Sequence, residues 1–90
     1  MKKLETAIER IKTMEARFDR LLEAAEKDIA SINTDPDLAK TLSVLIDYYV
    51  NGLWLSDFQL DEKGLLPKDL KRGILSEDGF YDLLTELSRI

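Results

Sequence analysis

The sequence contains no cysteine and no histidine among its 90 residues. Without cysteine, it cannot form a disulfide, a zinc–thiolate site or a thiol nucleophile. Without histidine, it lacks the commonest general base, the commonest transition-metal ligand and one member of the Ser-His-Asp triad. Catalysis by this chain would have to use carboxylates, lysine, tyrosine or a hard metal ion. We therefore lean away from an enzyme and assign no catalytic residue, no metal ligand and no cofactor.

Helix-breaking residues are also scarce, since proline occurs twice and glycine four times. The long uninterrupted stretches between them favour helices over a β fold with many turns. Hydrophobic residues make up 44% of the chain and charged residues 34%, a high charged fraction that helical surfaces often show. A chain of this length buries only ~60–65% of its unfolded surface. We predict one helical domain, residues 1–90, with a thin core.

Long apolar runs are absent as well. No stretch approaches the ~20 apolar residues that a membrane-spanning helix requires. The chain begins with a basic pair, Lys2 and Lys3, but Glu5 and Glu9 interrupt any signal-like apolar core. We expect a cytoplasmic protein that has no membrane partner.

The net charge of −5 is unevenly distributed along the chain. Residues 1–30 are balanced, residues 31–62 carry −5, residues 63–73 carry +3 and residues 74–90 carry −3. Residues 63–73 are thus a basic segment flanked by acidic ones. We expect its cations to pair with carboxylates of the same chain, above all those of residues 31–62. The acidic total argues against nucleic-acid binding, which requires a sizeable basic face.

An apolar stripe runs through the first third of the chain. Its residues recur every seven positions or three positions further on, namely Leu4, Ala7, Ile11, Met14, Phe18, Leu21, Ala25 and Ile32, and the stripe is widened by Ile8, Leu22 and Ile29. This spacing predicts one long helix from Lys2 to about Ile32, a rod of ~45 Å. Either the shorter helices or a second chain must cover it. We therefore expect a protein partner, or a homodimer, through this first helix.

Local signals mark the ends of the next two helices. Asp35 is a predicted N-cap, followed by a helix from Pro36 to about Val50 that ends at Asn51-Gly52. Residues 53–63 are ambiguous between helix and irregular structure. Because their apolar residues lie one helical turn apart, we predict a short helix that ends at Gly64.

A basic loop, residues 65–75, leads to the last predicted helix. Ser76 is its predicted N-cap, and the helix runs from Glu77 to about Arg89. Leu75 and Phe80 have the spacing of a hydrophobic staple, which fixes how a chain enters a helix. The fold class is then all-α: a small helical bundle with one long N-terminal helix and two or three shorter helices packed back along it.

Candidate binding residues fall in an acidic and a basic segment. A spacing of four places Asp57 and Asp61 on one helix face, where with Glu62 they could bind Mg²⁺ or Ca²⁺. The alternatives are a solvated face or ion pairs with the basic loop. Cations of that loop could hold an anion, although pairing within the chain is favoured. The ligand or partner candidates are Trp54, Asp57, Asp61, Glu62, Lys68, Lys71 and Arg72.

Two further residues have alternative interpretations. Trp54 could be an exposed anchor for a partner, but a single tryptophan flanked by leucines more often fills the core between helices. Gly79 falls in the first turn of a helix, where glycine costs roughly 0.5–1 kcal/mol relative to alanine. We expect a neighbouring side chain, such as an aromatic ring, to approach it closely.

Strings in the second half of the chain resemble a known family. They are Asn-Gly-x-Trp-x-x-Asp-Phe at 51–58 and Leu-Lys-Arg-Gly-x-Leu-Ser-Glu-Asp at 70–78. They resemble a family of short bacterial proteins catalogued as domain of unknown function 4298, which the first half resembles more loosely. The resemblance implies a small helical bacterial protein and carries over no site residue.

The expected function follows by elimination and from the long apolar stripe. We expect a protein–protein interaction module or a regulatory accessory protein. One alternative is a metal- or anion-binding protein, or an enzyme, that uses residues 57–62 and 68–72. Another, based on size and helical content, is a helical bundle like the bacteriocin immunity proteins.

Overall fold

The computed structural model describes residues 2–76 and 78–89 and shows a helical bundle. Its elements are α1 (Lys2–Asp28), α2 (Ser31–Thr34), α3 (Pro36–Val50), α4 (Leu53–Glu62), one turn of 3₁₀ helix (Gly73–Leu75) and α5 (Gly79–Ser88). No strand occurs in these residues, and the all-α fold with one long N-terminal helix is confirmed. Each helix in the described ranges is too short or too polar to cross a bilayer.

The long helix ends earlier than predicted. A continuous helix to about Ile32 is wrong, because α1 stops at Asp28. The Asp28 carboxylate accepts a hydrogen bond from the Ala30 amide at 3.1 Å, and the Ser31 hydroxyl donates to the Asp28 carbonyl at 2.7 Å. Such local side-chain bonds compete with the helical ladder. The chain turns there into the short α2, which still buries Ile32 completely.

The apolar stripe of α1 is buried by the rest of the chain. Ala7, Ile11, Phe18 and Leu21 are all buried. The helices α2 and α3 pack against α1, and so does the 3₁₀ turn. Leu22, which the pattern placed on the same stripe, is instead 38% exposed. The shorter helices therefore cover the long one, which is the first of the two alternatives that the sequence left open.

The ends of α3 and α4 follow their predicted signals. The Asp35 carboxylate accepts from the Asp37 amide at 2.9 Å, and α3 begins at the next residue after this cap. Gly52, with φ of +90°, turns the chain from α3 into α4. Residues 53–62 are helical, as predicted, and Gly64, with φ of +70°, follows the end of α4.

The start of α5 depends on Ser76 and Gly79. The Ser76 hydroxyl accepts a hydrogen bond from the Gly79 amide at 3.1 Å. The helix begins at Gly79, whereas the predicted start, Glu77, lies outside the described residues. A Cβ on Gly79 would lie 3.5 Å from the ring of Phe18 and 2.5 Å from the Ser76 hydroxyl. The predicted close approach of a side chain is present, but it is made by Ser76, whereas the distance to the Phe18 ring is an ordinary van der Waals contact.

We predict that Ser76→Ala lowers the free energy of unfolding by about 1 kcal/mol, as lost N-caps commonly do. The matched control is Ser43→Ala, at an exposed position in the middle of α3, which should leave stability unchanged or slightly increased. Urea unfolding monitored by circular dichroism measures both. Equal stabilities of the two variants would show that Ser76 contributes no cap.

Candidate functional site

The carboxylate of Asp57 on α4 is buried at the junction of three helices. It has no exposed surface. Arg10 on α1 donates to it from Nε at 2.9 Å and from Nη2 at 2.5 Å, and the hydroxyl of Tyr48 on α3 donates at 2.6 Å. A buried charge is tolerated when it is paired and hydrogen-bonded, and a bidentate arginine is the strongest such partner. This cluster is a structural junction and not a solvated acidic face.

The surroundings of Tyr48 and Arg10 in the junction raise the pKa of both groups. Burial, together with the hydrogen bond to Asp57, raises the pKa of the Tyr48 hydroxyl above its ordinary value. The hydrogen bond to Asp57 also raises the pKa of the Arg10 guanidinium. Both groups therefore hold their protons at neutral pH. Neither one is poised to transfer a proton to a substrate.

The other two acidic candidates lie in different surroundings. Asp61, one turn after Asp57, is half-buried and accepts a hydrogen bond from Arg72 Nη1 at 2.5 Å. Glu62 is exposed. Within the described part of the chain, no group of three acidic side chains is arranged to hold a metal ion. Asp57 and Asp61, four residues apart, thus form two separate ion pairs, one with Arg10 and one with Arg72.

The cations of the basic loop differ in their partners. Arg72 pairs with Asp61 in the acidic segment, as the charge distribution predicts. Lys71 instead pairs with Asp19 on α1 at 3.2 Å, which corrects the expectation that its partner lies in residues 31–62. Lys68 is exposed and forms no ion pair with a described residue. Exposed pairs such as the one made by Lys71 contribute little stability.

The side chain of Glu15 on α1 makes a polar contact that was not predicted from the sequence. Its side chain is buried and accepts hydrogen bonds from the amides of Ile74 at 2.7 Å and Gly73 at 3.2 Å. These amides begin the 3₁₀ turn, where N–H groups lack partners within the helix. A Cβ on Gly73 would lie only 3.2 Å from Glu15 Oε2. The glycine therefore leaves room for the carboxylate.

Trp54 binds the carbonyl of the same residue, Ile74. Its indole Nε1 donates to the Ile74 carbonyl at 2.7 Å. Its ring stacks on Phe58 with centroids 5.0 Å apart, and it lies 5.0 Å from the ring of Tyr49. The half-buried tryptophan thus packs between helices, in accord with the core interpretation of this residue. Together with Glu15, it fixes the end of the basic loop.

These contacts leave few polar groups free for chemistry. Trp54, Asp57 and Asp61 use their polar atoms within the chain, as do both Lys71 and Arg72. Glu62 and Lys68 are exposed, and no ion pair joins them. The predicted candidates therefore form internal links and do not converge on one reactive centre.

The surface around α4 is instead apolar. Six large hydrophobic side chains of the described residues are exposed, and four of them fall within residues 50–65. These four are Val50, Leu53, Leu55 and Leu65, with exposures of 67%, 44%, 51% and 52%. An accumulation of exposed apolar side chains of this kind is typical of an interaction surface.

A groove of about 730 Å³ lies between α1 and α4 beside this surface. We define the α1–α4 groove by its lining residues, which are Lys3, Leu4, Thr6, Ala7 and Arg10 on α1, Ser56 and Leu60 on α4, and Leu65 beyond α4. Its walls are mainly apolar. Arg10, which lines the groove, forms an ion pair with the buried carboxylate of Asp57. The buried junction therefore also positions one wall of the groove.

We predict that Asp57→Ala lowers the free energy of unfolding by about 3–5 kcal/mol, because it leaves Arg10 without its buried partner. The matched variant Asp61→Ala, one turn further on, should cost about 1 kcal/mol or less, since its pair with Arg72 is partly exposed. Chemical unfolding measures both. Similar losses for the two variants would contradict the assigned role of Asp57.

We further predict that Glu15→Gln releases the 3₁₀ turn. A glutamine presents an N–H group to one of two backbone amides, so one buried donor loses its acceptor at a cost of about 1–3 kcal/mol. The readout is amide hydrogen exchange, in which Ile74 should lose protection more than the middle of α3 does. Unchanged exchange at Ile74 would show that the carboxylate does not hold the loop.

Comparison with known proteins identifies the family of the chain. The search of curated proteins and the search of solved structures returned no match to the chain. The family model described as "Domain of unknown function (DUF4298)" matches residues 1–90. The chain therefore belongs to the DUF4298 family.

Proposed function

We propose that this chain is a small protein-interaction module that binds a protein partner through α4 and the α1–α4 groove. One observation carries the proposal: α4 has apolar side chains on all sides. Trp54 packs against the core and Phe58 stacks on Trp54, yet Leu53 and Leu55 face outward with about half of their surface exposed. A helix that is apolar all round is normally buried all round. A partner would complete that burial.

The internal polar contacts support the proposal by making the surface rigid. Asp57 ties α4 to α1 and α3, and Trp54 ties it to the 3₁₀ turn. A surface that is fixed before binding loses less conformational entropy when the partner binds. The side chains that could have served catalysis are used for this purpose, which favours binding over catalysis.

The partner contact would differ from the one predicted from the α1 stripe. That stripe is buried within the chain. The first helix would instead contribute its N-terminal flank, which forms one wall of the groove. A bacterial cytoplasm remains the proposed setting for this interaction.

A site-specific photo-crosslinker tests the proposed surface. We predict that benzoylphenylalanine at Leu55 or Leu65, introduced into the full chain in its native host, forms a discrete adduct with another protein. Leu22 is the matched control, since it is an exposed leucine on α1 that lies ~18 Å along the helix from Arg10. No adduct at either test position, or the same adduct at all three, would contradict the proposal.

A folding control separates loss of binding from loss of structure. Leu55→Glu changes an exposed side chain, so the free energy of unfolding should shift by less than about 0.5 kcal/mol. In the same variant, the adduct from position 65 should disappear. An adduct that persists would show that Leu55 lies outside the contact.

A further inference from the structure

Three basic side chains of α1 lie on one flank of the helix, and two of them, Lys3 and Arg10, line the α1–α4 groove. Lys3, Arg10 and Arg17 are seven residues apart and therefore lie nearly above one another. On the same helical geometry, Asp19 and Glu23 fall on the opposite side. Residues 1–30 have no net charge, but between Lys3 and Arg17 this flank of α1 carries no carboxylate. The groove lies on the basic side.

Two cations of this flank are available to a partner. Arg10 is paired with Asp57, whereas Lys3 and Arg17 form no ion pair with a described carboxylate. The Arg17 guanidinium contacts the sulfur of Met14 at 3.9 Å. Lys3 lines the groove, and no carboxylate is among the described residues that line it. In a chain whose net charge is −5, the apolar groove thus has a positive edge at Lys3 and Arg10, and Arg17 extends this flank of α1 two helical turns beyond the groove.

We infer that the α1–α4 groove binds an acidic amphipathic helix of another protein. This inference rests on the proposed function and specifies its partner. A helix laid in such a groove inserts apolar residues at i, i+3 or i+4 and i+7. Carboxylates along the edge of that helix would face Lys3 and Arg17. Complementary charge of this kind determines which partner binds, and in which orientation, more than it raises the affinity.

The length of the basic flank sets the length of the partner. From Lys3 to Arg17 the helix rises ~21 Å, the length of about four helical turns. A partner segment of about 14–16 residues, with carboxylates about seven residues apart, spans this distance.

The positive charge of this flank also favours binding of a different protein over binding of a second copy of this chain. A two-fold symmetric pair buries the same surface on both chains. Joined through this flank, two copies would bring Lys3 and Arg17 of one chain towards the same cations of the other. An acidic partner meets no such repulsion.

Two synthetic peptides test the inference with the full chain. Both carry the same leucine face over about 16 residues, but the flanking positions are glutamates in one and lysines in the other. We expect the glutamate peptide to bind at least about tenfold more tightly at low salt and to shift the amide signals of Ala7 and Leu60. The difference should shrink near 1 M salt, where the screening length falls to about 3 Å.

Charge reversal supplies the matched variants. The double variant Lys3→Glu with Arg17→Glu should abolish or invert the preference between the peptides. Lys12→Glu with Lys27→Glu makes the same charge change away from this flank and should preserve the preference. Circular dichroism melting establishes that both double variants are folded.

The possible outcomes separate this inference from the proposed function. Binding of neither peptide, equal binding of both, or tighter binding of the lysine peptide overturns the acidic-helix partner. A dimer of the free chain that the Lys3→Glu and Arg17→Glu variant dissociates also overturns it, because a second copy then occupies the flank. In each case, crosslinking at Leu55 and Leu65 independently decides whether the surface binds a protein at all.

Discussion

The buried carboxylate of Asp57 is the constraint on which the arrangement of the helices depends. A charge without exposed surface costs several kcal/mol unless its partners reach it. Arg10 and Tyr48 satisfy it, so α1, α3 and α4 pack where all three side chains meet. Apolar packing alone would permit small rotations and shifts of these helices. The ion pair restricts them to one register, and in doing so it sets both walls of the α1–α4 groove.

The same constraint extends to the loop before α5. With α4 in place, the indole of Trp54 reaches the Ile74 carbonyl, while Glu15 on α1 accepts from the Ile74 and Gly73 amides. Gly73 has no side chain to block that carboxylate. The string at residues 70–78, by which the chain resembles its family, thus has a physical explanation. It supplies a cation for Asp61, room for Glu15 and the hydroxyl that caps α5.

Local signals in the sequence were sufficient to predict the ends of α3 and α4, since the cap at Asp35 and the turn at Gly52 act within a few residues. The end of α1 was missed because the apolar spacing, interrupted at Asp28, resumes at Ile29 and Ile32, whereas the side chain of Asp28 competes locally with the helical hydrogen bonds. Asp57 could not be distinguished from a surface acid, because its partner Arg10 lies 47 residues away in sequence. Glu15 did leave a signal: it stands four residues after Ile11 and three before Phe18, on the apolar face, where a glutamate requires a partner. The apolar surface of α4 depends on how neighbouring helices pack, which no local pattern contains.

A double-mutant cycle between Arg10 and Asp57 tests the central claim most directly. The free energy of unfolding is measured for the parent chain, Arg10→Ala, Asp57→Ala and the double variant. If the pair fixes the register of the helices, its coupling energy should be about 2 kcal/mol or more, near the upper end for residues in direct contact. A coupling energy near zero, with the two single losses adding, would show that apolar packing sets the arrangement without the ion pair.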